Sequence, residues 1–218
     1  MFTAHPDDES YTAAGTIYKN YEAGGKTILV CASFGERGTS HLKKSISPSK
    51  VKKMRREELI RAAKILHIEK LLFLGLPDAH IDASKSALYK RGLKIARSIK
   101  PDFIISFGKD GISGHRDHVA VGETAKKIAK RTRTPFIITA LPMSITASAI
   151  RWLKSQRKRG RYVEKIHFAK PSIRIKINPK IKRCALLAHK SQLENGRALT
   201  GFPEYAVKEL LKAEYFID

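Results

Sequence analysis

A chain of 218 residues with 42% hydrophobic content can bury a full core and is too apolar to be disordered throughout. No stretch reaches the roughly 18 uninterrupted apolar residues of a membrane helix, and Asp7, Asp8 and Glu9 interrupt any apolar leader, so the sequence reads as soluble and cytoplasmic. The charge is lopsided, 43 Lys+Arg against 20 Asp+Glu, and between Arg151 and Arg183 the only acidic residue is Glu164. Such a field attracts nucleic acid, anionic lipid or phosphorylated substrates, but the run carries no nucleic-acid motif and a solvated basic surface is the simpler account.

In chain order, Met1 to Ala4 reads as the tail of a strand, and Glu9 to Ala23 has small and apolar residues at helical spacing up to Gly24-Gly25. The continuous apolar run Ile28-Leu29-Val30-Cys31-Ala32 suits a strand buried on both faces, with Cys31 a small core residue. With only one other cysteine, the distant Cys184, neither a disulfide framework nor a thiolate metal site is expected. Gly35-Glu36-Arg37-Gly38 reads as a loop, Ser40 to Ser49 as a polar basic segment, and Val51 to Leu66 as a helix.

Strand and helix then alternate: Leu71 to Leu74, Ala87 to Ile99 (broken by Pro101), Asp102 to Phe107, His118 to Lys130, and Pro135 to Ala140. This is βαβ alternation, predicting a Rossmann-like doubly wound, mostly parallel sheet with helices on both faces. Beyond Met143 the pattern loosens: Ala147 to Arg157 reads as helix, Tyr162 to Ile177 as one or two solvent-facing strands, and Lys180 to Leu193 and Glu204 to Lys212 as helices. The expectation is a single domain over 1–218, with 143–218 a C-terminal elaboration completing the cleft.

Two clusters carry the chemistry. His5-Pro6-Asp7-Asp8-Glu9 packs an imidazole and three carboxylates into five positions, an arrangement that repels itself unless a cation intervenes. A helix start with Pro6 at the first position would account for the acids and the proline, not for His5. The second cluster, Gly114-His115-Arg116-Asp117-His118, follows the fourth strand. In doubly wound sheets, loops at the carboxyl ends of adjacent strands form the ligand crevice, so the two clusters should meet. Together they offer His5, one of Asp7 or Asp8, and one or both of His115 and His118, a ligand set suited to catalytic zinc. Metal-assisted hydrolysis of an amide or ester follows, a spare carboxylate serving as base and a spare histidine steadying the oxyanion.

These motifs resemble the two signatures of the LmbE-like (PIG-L) zinc N-deacetylases, and the likeness extends over nearly the whole chain. Gly35-Glu36-Arg37-Gly38 is similar to the family's substrate loop, Arg55, Glu58, Ala62, Ala63 and Leu66 to its arginine-led helix, and Ala188-His189-Lys190-Ser191-Gln192 to its C-terminal segment. The resemblance implies one zinc ion per chain (Fe2+ being the other candidate) held by His5, Asp8 and His118, with Asp7 as general base. It implies that His115 stabilises the oxyanion or protonates the leaving amine, with Asp117 orienting it. Glu36, Arg37, Arg55, Asp78, His189 and Gln192 are the implied substrate contacts. The implied activity removes acetyl from an N-acetylglucosamine-type sugar or glycoconjugate. The rival readings are a non-haem Fe(II) enzyme on the same ligands, and a basic nucleic-acid or anionic-surface binding protein with a vestigial metal site. Two features depart from the family pattern: only four residues precede His5, which suggests a late start or a truncated first strand, and Arg116 stands where proline is common, which adds positive charge beside the metal and favours an anionic substrate.

Overall fold

The computed structural model describes residues 1–42, 46–147, 170–200 and 202–218. Strands β1 (Phe2–Thr3), β2 (Ile28–Cys31) and β3 (Lys70–Phe73) pair in parallel in that order. Strand β4 (Ile104–Phe107) pairs in parallel with β5 (Phe136–Ala140). Two C-terminal strands extend this second sheet antiparallel, β7 (Ala213–Ile217) lying between β5 and β6 (Ile173–Lys176). The sheets abut where β1 packs on β4, and Ser106 Oγ donates to Phe2 O at 3.0 Å across the seam. The order is thus β3-β2-β1-β4-β5-β7-β6, a doubly wound, mostly parallel arrangement with strands one and four side by side at the reversal point.

Both faces of the sheet are buried, which is why its strands read as apolar runs. Val30 packs with Phe2, Ile104 and Phe107 on one face, while its neighbours Leu29 and Cys31 pack with Leu59 on the other. Leu88 and Ala96 of α4 (Lys85–Ile99) and Ala120, Ala125 and Ile128 of α6 (Arg116–Thr132) close the first face. The second face is covered by α2 (Ala14–Glu22), α3 (Pro48–Ile65) and α7 (Pro179–Ala188), through Ile17, Leu59 and Ala185. Each fully buried Leu or Ile here is worth roughly 1.5–3 kcal/mol. Helix ends follow local chemistry: Ser47 caps α3 with Pro48 next, Asn178 caps α7 with Pro179 next, and Lys100, in the left-handed conformation, ends α4 before Pro101.

Several boundaries differ from expectation. The helix read over Glu9 to Ala23 is two, α1 (Asp8–Thr12) and α2, because Ala13 leaves helical backbone (φ −148, ψ 11) and the Gly15 and Thr16 amides donate to Glu214 at 3.0 and 2.8 Å. The first turn starts at Asp8, so Pro6 does not occupy its first position. The helix expected to reach Leu193 ends at Ala188 and is followed by a 3-10 turn, Lys190–Gln192. Strand β7 was not among the expected strands; Ala213-Glu214-Tyr215-Phe216-Ile217 follows the last helix, α8 (Glu204–Lys212), without a breaker. Beyond Ala147, the helix read over Ala147 to Arg157 lies outside the described residues, as does the first half (162–169) of the alternating segment from Tyr162; the described half contains the strand Ile173–Lys176. Among the described residues no helix is long and apolar enough to cross a membrane.

Gly122 sets the distance between α6 and β4. A Cβ there would lie 2.3 Å from the Phe107 carbonyl oxygen, so the helix could not approach the strand end that delivers the second cluster. Gly122→Ala should cost about 2–3 kcal/mol in urea unfolding, the usual penalty for overpacking against backbone; an unchanged midpoint would show that α6 can shift.

Candidate metal centre and its supporting shell

The two clusters meet as expected. After β1 the chain turns through Asp7, whose φ of 125 is a left-handed value rare outside glycine. Such a residue is strained by about 1–3 kcal/mol and persists only when its surroundings fix it. Here the Asp7 carbonyl accepts from Ser10 and Tyr11, and its amide donates to Glu9 Oε2. After β4, Asp110 Oδ1 accepts from the Ile112 amide, the short turn α5 (Gly111–Gly114) follows, and His115 caps α6 by accepting the Asp117 amide at Nδ1. Gly111 has φ +58, and a Cβ on it would lie 2.9 Å from His118 Cβ, so this glycine lets its carbonyl reach His118 Nδ1 at 3.0 Å.

His118 Nε2 then lies 3.2 Å from His5 Nδ1 and 3.2 Å from Asp8 Oδ1. Each of the three donors has its other polar atom fixed. Asp8 Oδ2 accepts the Ala4 and His5 amides at 2.9 and 2.8 Å, leaving Oδ1 pointing inward. His5 Nε2 faces Asp78 Oδ1 at 3.1 Å and Asp117 Oδ2 at 3.3 Å. The ring of His118 is also stacked on Phe107, centroids 4.3 Å apart. Four-coordinate ligands at zinc distances sit roughly 3.4 Å apart, and carboxylates or carbonyls behind ligating imidazoles are the usual second layer of such sites. The residues present therefore fit a divalent ion held by His5 Nδ1, Asp8 Oδ1 and His118 Nε2. His115 also brings a ring nitrogen within 4.8 Å of the His5 and His118 nitrogens, as Asp78 and Asp117 bring oxygens near His5. The last two lie at hydrogen-bonding distance from Nε2 and read as its orienting partners.

The electrostatics match this geometry. Burial works against a charged His5, but hydrogen bonds from Asp117 and Asp78 and the field of Asp8 raise it to about 10. A proton on His5, or a metal ion in its place, would balance these carboxylates. Asp7 is pushed up to about 6, chiefly by burial, against the attraction of Arg55. Asp8 is also buried, but His118 and His5 hold its carboxyl well below the usual range. Burial, then the neighbouring His118 and His5, lower His115 to about 4. It is thus a neutral imidazole, and because Nδ1 accepts the Asp117 amide, its hydrogen lies on Nε2.

The implied roles of the supporting residues change with their observed contacts. The Asp117 carboxylate, expected to orient His115, faces His5 and accepts the Ala79 and Ile81 amides at 2.7 and 3.1 Å, while its amide donates to His115 Nδ1. Asp78, expected on a substrate, faces His5 and accepts the Arg37 amide at 2.7 Å, while its own amide donates to Glu36. Arg55 is buried, donating to the Gly35 and Pro6 carbonyls at 2.9 and 2.6 Å and lying 3.3 Å from Asp7 Oδ2. Its contacts brace Asp7. Glu58 accepts the Ser191 amide and hydroxyl at 2.7 and 2.6 Å. His189, also expected on a substrate, is buried and bonded to Glu9 Oε1 at 2.8 Å. A cavity of about 540 Å³ opens over the metal ligands, and Arg37, Arg55, Asp78 and Gln192 line it whereas Glu36 and His189 do not. Gln192 Nε2 donates to the Gly38 carbonyl at 3.1 Å.

Arg116, expected to add charge beside the metal, pairs with Asp82 and is not among the cavity's lining residues. Part of the basic run is likewise internal: Lys182 is buried and donates to Glu214 Oε1 at 2.9 Å and to the Tyr11 carbonyl at 2.8 Å. Lysine among lysines gave no signal of this, and Glu214 stood in a segment with no assigned role. The stretch from Arg151 to Lys165 lies outside the described residues.

The buried Glu9–His189 pair gives a pH-dependent stability. Burial opposes a charged His189, but Glu9 and then Asp7 and Glu58 raise it above its ordinary 6.5. The folded value being the higher, the pair's contribution is complete below about pH 6.5 and is lost as pH rises through the folded value. His189→Gln should therefore cost about 3 kcal/mol at pH 6 and progressively less in alkali, read by urea unfolding of metal-free protein. A difference independent of pH would remove the charge from this account.

The PIG-L family model, described as GlcNAc-PI de-N-acetylase, matches residues 1–129. A probable N-acetyl-alpha-D-glucosaminyl L-malate deacetylase 2 of Bacillus subtilis is 30% identical over 192 residues, 87% of this chain and 80% of its own length. The Bacillus anthracis protein of the same name is matched over only 53% of its length. A 4-oxalmesaconate hydratase of Pseudomonas putida is 36% identical over 109 residues, 49% of this chain and 42% of the relative. Among solved structures, the N,N'-diacetylchitobiose deacetylase of Pyrococcus horikoshii superposes with a TM-score of 0.67 over 99% of this chain and 80% of that one, at 21% identity. With the family model covering more than half of the chain, and both signature clusters meeting in one cleft, the chain belongs to the PIG-L, or LmbE-like, family.

Proposed function

We propose that the chain is a zinc-dependent N-deacetylase acting on a small N-acetylglucosamine-type sugar or glycoconjugate. The observation that carries this is the convergence of His5 Nδ1, Asp8 Oδ1 and His118 Nε2 beneath a cavity that the Asp7 carboxylate also lines. Zinc bound there would supply a Lewis acid and bring the pKa of a coordinated water to about 7. Asp7, at about 6, is tuned to accept a proton from the attacking water near neutrality, and Arg55 fixes its direction. The neutral His115 ring would donate its Nε2 hydrogen to the carbonyl oxygen as negative charge builds there. The water oxygen bonds to the acyl carbon, the carbon–nitrogen bond breaks, and the proton taken by Asp7 passes to the departing nitrogen. The products are a carboxylate and a free amino sugar. Asp78 and Asp117 act through His5, holding its ring with Nδ1 toward the ion, and Arg37 and Gln192 are the side chains left to meet sugar hydroxyls.

A second reading has one observation behind it: the Pseudomonas putida relative, 36% identical over 109 residues, is a hydratase, which favours water addition to a different substrate as the rival activity. Acetate release from N-acetylglucosamine, its malate and inositol glycosides and diacetylchitobiose, with and without chelator, tests the proposal. Metal-loaded protein that releases no acetate from any of them, but hydrates 4-oxalmesaconate, would replace it. Metal analysis after anaerobic purification separates zinc from iron.

His5→Ala, Asp8→Ala and His118→Ala should lose the metal. Asp7→Asn should keep it and lose about 10³-fold in kcat, the scale of a general base; full activity in that variant would mean another group takes the proton. Asp117→Asn should weaken metal affinity about 10–100-fold, as measured by competition with a chromogenic chelator. An unchanged affinity with reduced kcat would instead assign Asp117 to His115.

A further inference from the structure

The cavity has two walls of opposite chemistry. One, from the loops after β2 and β3 and the 3-10 turn, carries Arg37, Asp78 and Gln192. The other begins at Asp7, continues through Tyr11, one helical turn farther on, and is completed by Leu141, Leu199, Phe202 and Leu210 from beyond β5. These side chains belong to one apolar cluster in which Leu199 and Leu210 are buried while Tyr11, Leu141 and Phe202 are partly buried. The polar atoms on this side are committed elsewhere. The Tyr11 hydroxyl bonds the Leu199 backbone, and Lys182 and Glu214 neutralise one another while their remaining bonds go to the Tyr11 carbonyl and the Gly15 and Thr16 amides. A sugar hydroxyl placed against that wall would lose its water without gaining a partner, which disfavours it there.

We infer that this apolar lobe receives the acyl side of the substrate, and that the site takes N-acyl amino sugars with chains longer than acetyl. The inference rests on the deacylase reading above, and the sugar is assigned to the polar wall because its hydroxyls need those donors and acceptors. Of the two sides of the scissile amide only the acyl group is apolar, and an acetyl methyl would leave most of the lobe uncovered. A cavity of about 540 Å³ is of the size that encloses a drug-sized ligand, well beyond a single N-acetyl monosaccharide.

The experiment is a series of N-acetyl-, N-butanoyl-, N-hexanoyl- and N-octanoylglucosamine, with constant sugar, assayed by free amine release. Each buried methylene is worth roughly fourfold, and partial burial should still raise kcat/KM at least tenfold from acetyl to hexanoyl. Chelator-treated protein should bind the octanoyl compound more tightly than the acetyl one in calorimetry, with a negative heat-capacity change. Leu141→Trp should lower the octanoyl-to-acetyl ratio at least tenfold, while Phe202→Ala should shift the optimum to longer chains. Acetate release with slower or no release of the longer acids overturns the acyl lobe and leaves deacetylation standing. Release from none of the series, by protein shown to hold metal, overturns the deacylase reading and the lobe with it.

Discussion

The imidazole of His5 is gripped at both nitrogens by negative charge, and the rest of the polar interior is arranged around that grip. Asp8 lies on its Nδ1 side, Asp78 and Asp117 on its Nε2 side, and all four residues are buried. Three carboxylates cannot be desolvated together without compensation. Backbone amides supply part of it: Ala4 and His5 for Asp8, Arg37 for Asp78, Ala79 and Ile81 for Asp117. A proton on His5, or a divalent ion beside Asp8, His5 and His118, would supply the remainder. The same geometry that makes the metal-free centre electrostatically poor makes it a good ligand set, because every donor is aimed by a partner that cannot rotate away.

Three buried polar ties fasten the C-terminal third of the chain onto this centre. Glu9 bonds His189, Glu58 bonds Ser191, and Glu214 bonds Lys182 together with the first amides of α2. Buried ion pairs contribute little net stability, since desolvation offsets the Coulomb term. Their effect here is on register: each joins a residue before position 67 to one after 181, and together they fix α7 and the following turn against the strained Asp7 corner. Asp7 itself is held by Arg55, which is in turn enclosed by the Gly35 and Pro6 carbonyls. The Asp7 carboxylate is therefore positioned by a chain of contacts that begins on the far side of the sheet from α6.

Order along the chain was enough to foresee the meeting of the two clusters, because β1 and β4 are neighbours at the reversal point of the common doubly wound order. It was not enough to say what each neighbouring polar residue touches. Glu36, Asp78, His189 and Arg55 all read as substrate contacts by resemblance, yet Glu36 and His189 are not among the cavity's lining residues, and Asp78 and Arg55 are occupied mainly with His5 and Asp7. A sequence shows that a charge is present but not whether a distant backbone amide already satisfies it. Lys182 illustrates the limit, being a buried cation between the exposed Lys180 and Arg183. Strand β7 was missed for a related reason: Ala213 to Ile217 continues an apolar pattern from α8 with no glycine or proline to mark the change of period, and only pairing with β5 and β6 makes it a strand.

The division of the cavity into two walls follows from the topology. The polar wall is built by loops that also hold the Asp78 brace, so its geometry cannot drift without disturbing His5. The apolar wall comes from Tyr11, whose amide donates to the Asp7 carbonyl, and from residues after β5, in a segment that the Lys182–Glu214 and Glu9–His189 ties fasten to α1. Substitutions at Leu141, Phe202 or Leu210 can thus reshape the space beside the reacting carbonyl while the donors stay in place. Substitutions at Lys182 or His189 cannot, because each would leave a buried carboxylate, Glu214 or Glu9, without its ion-pair partner. Within this fold, the freedom to change what is bound and the rigidity needed to cleave it are assigned to different residues of the same C-terminal segment.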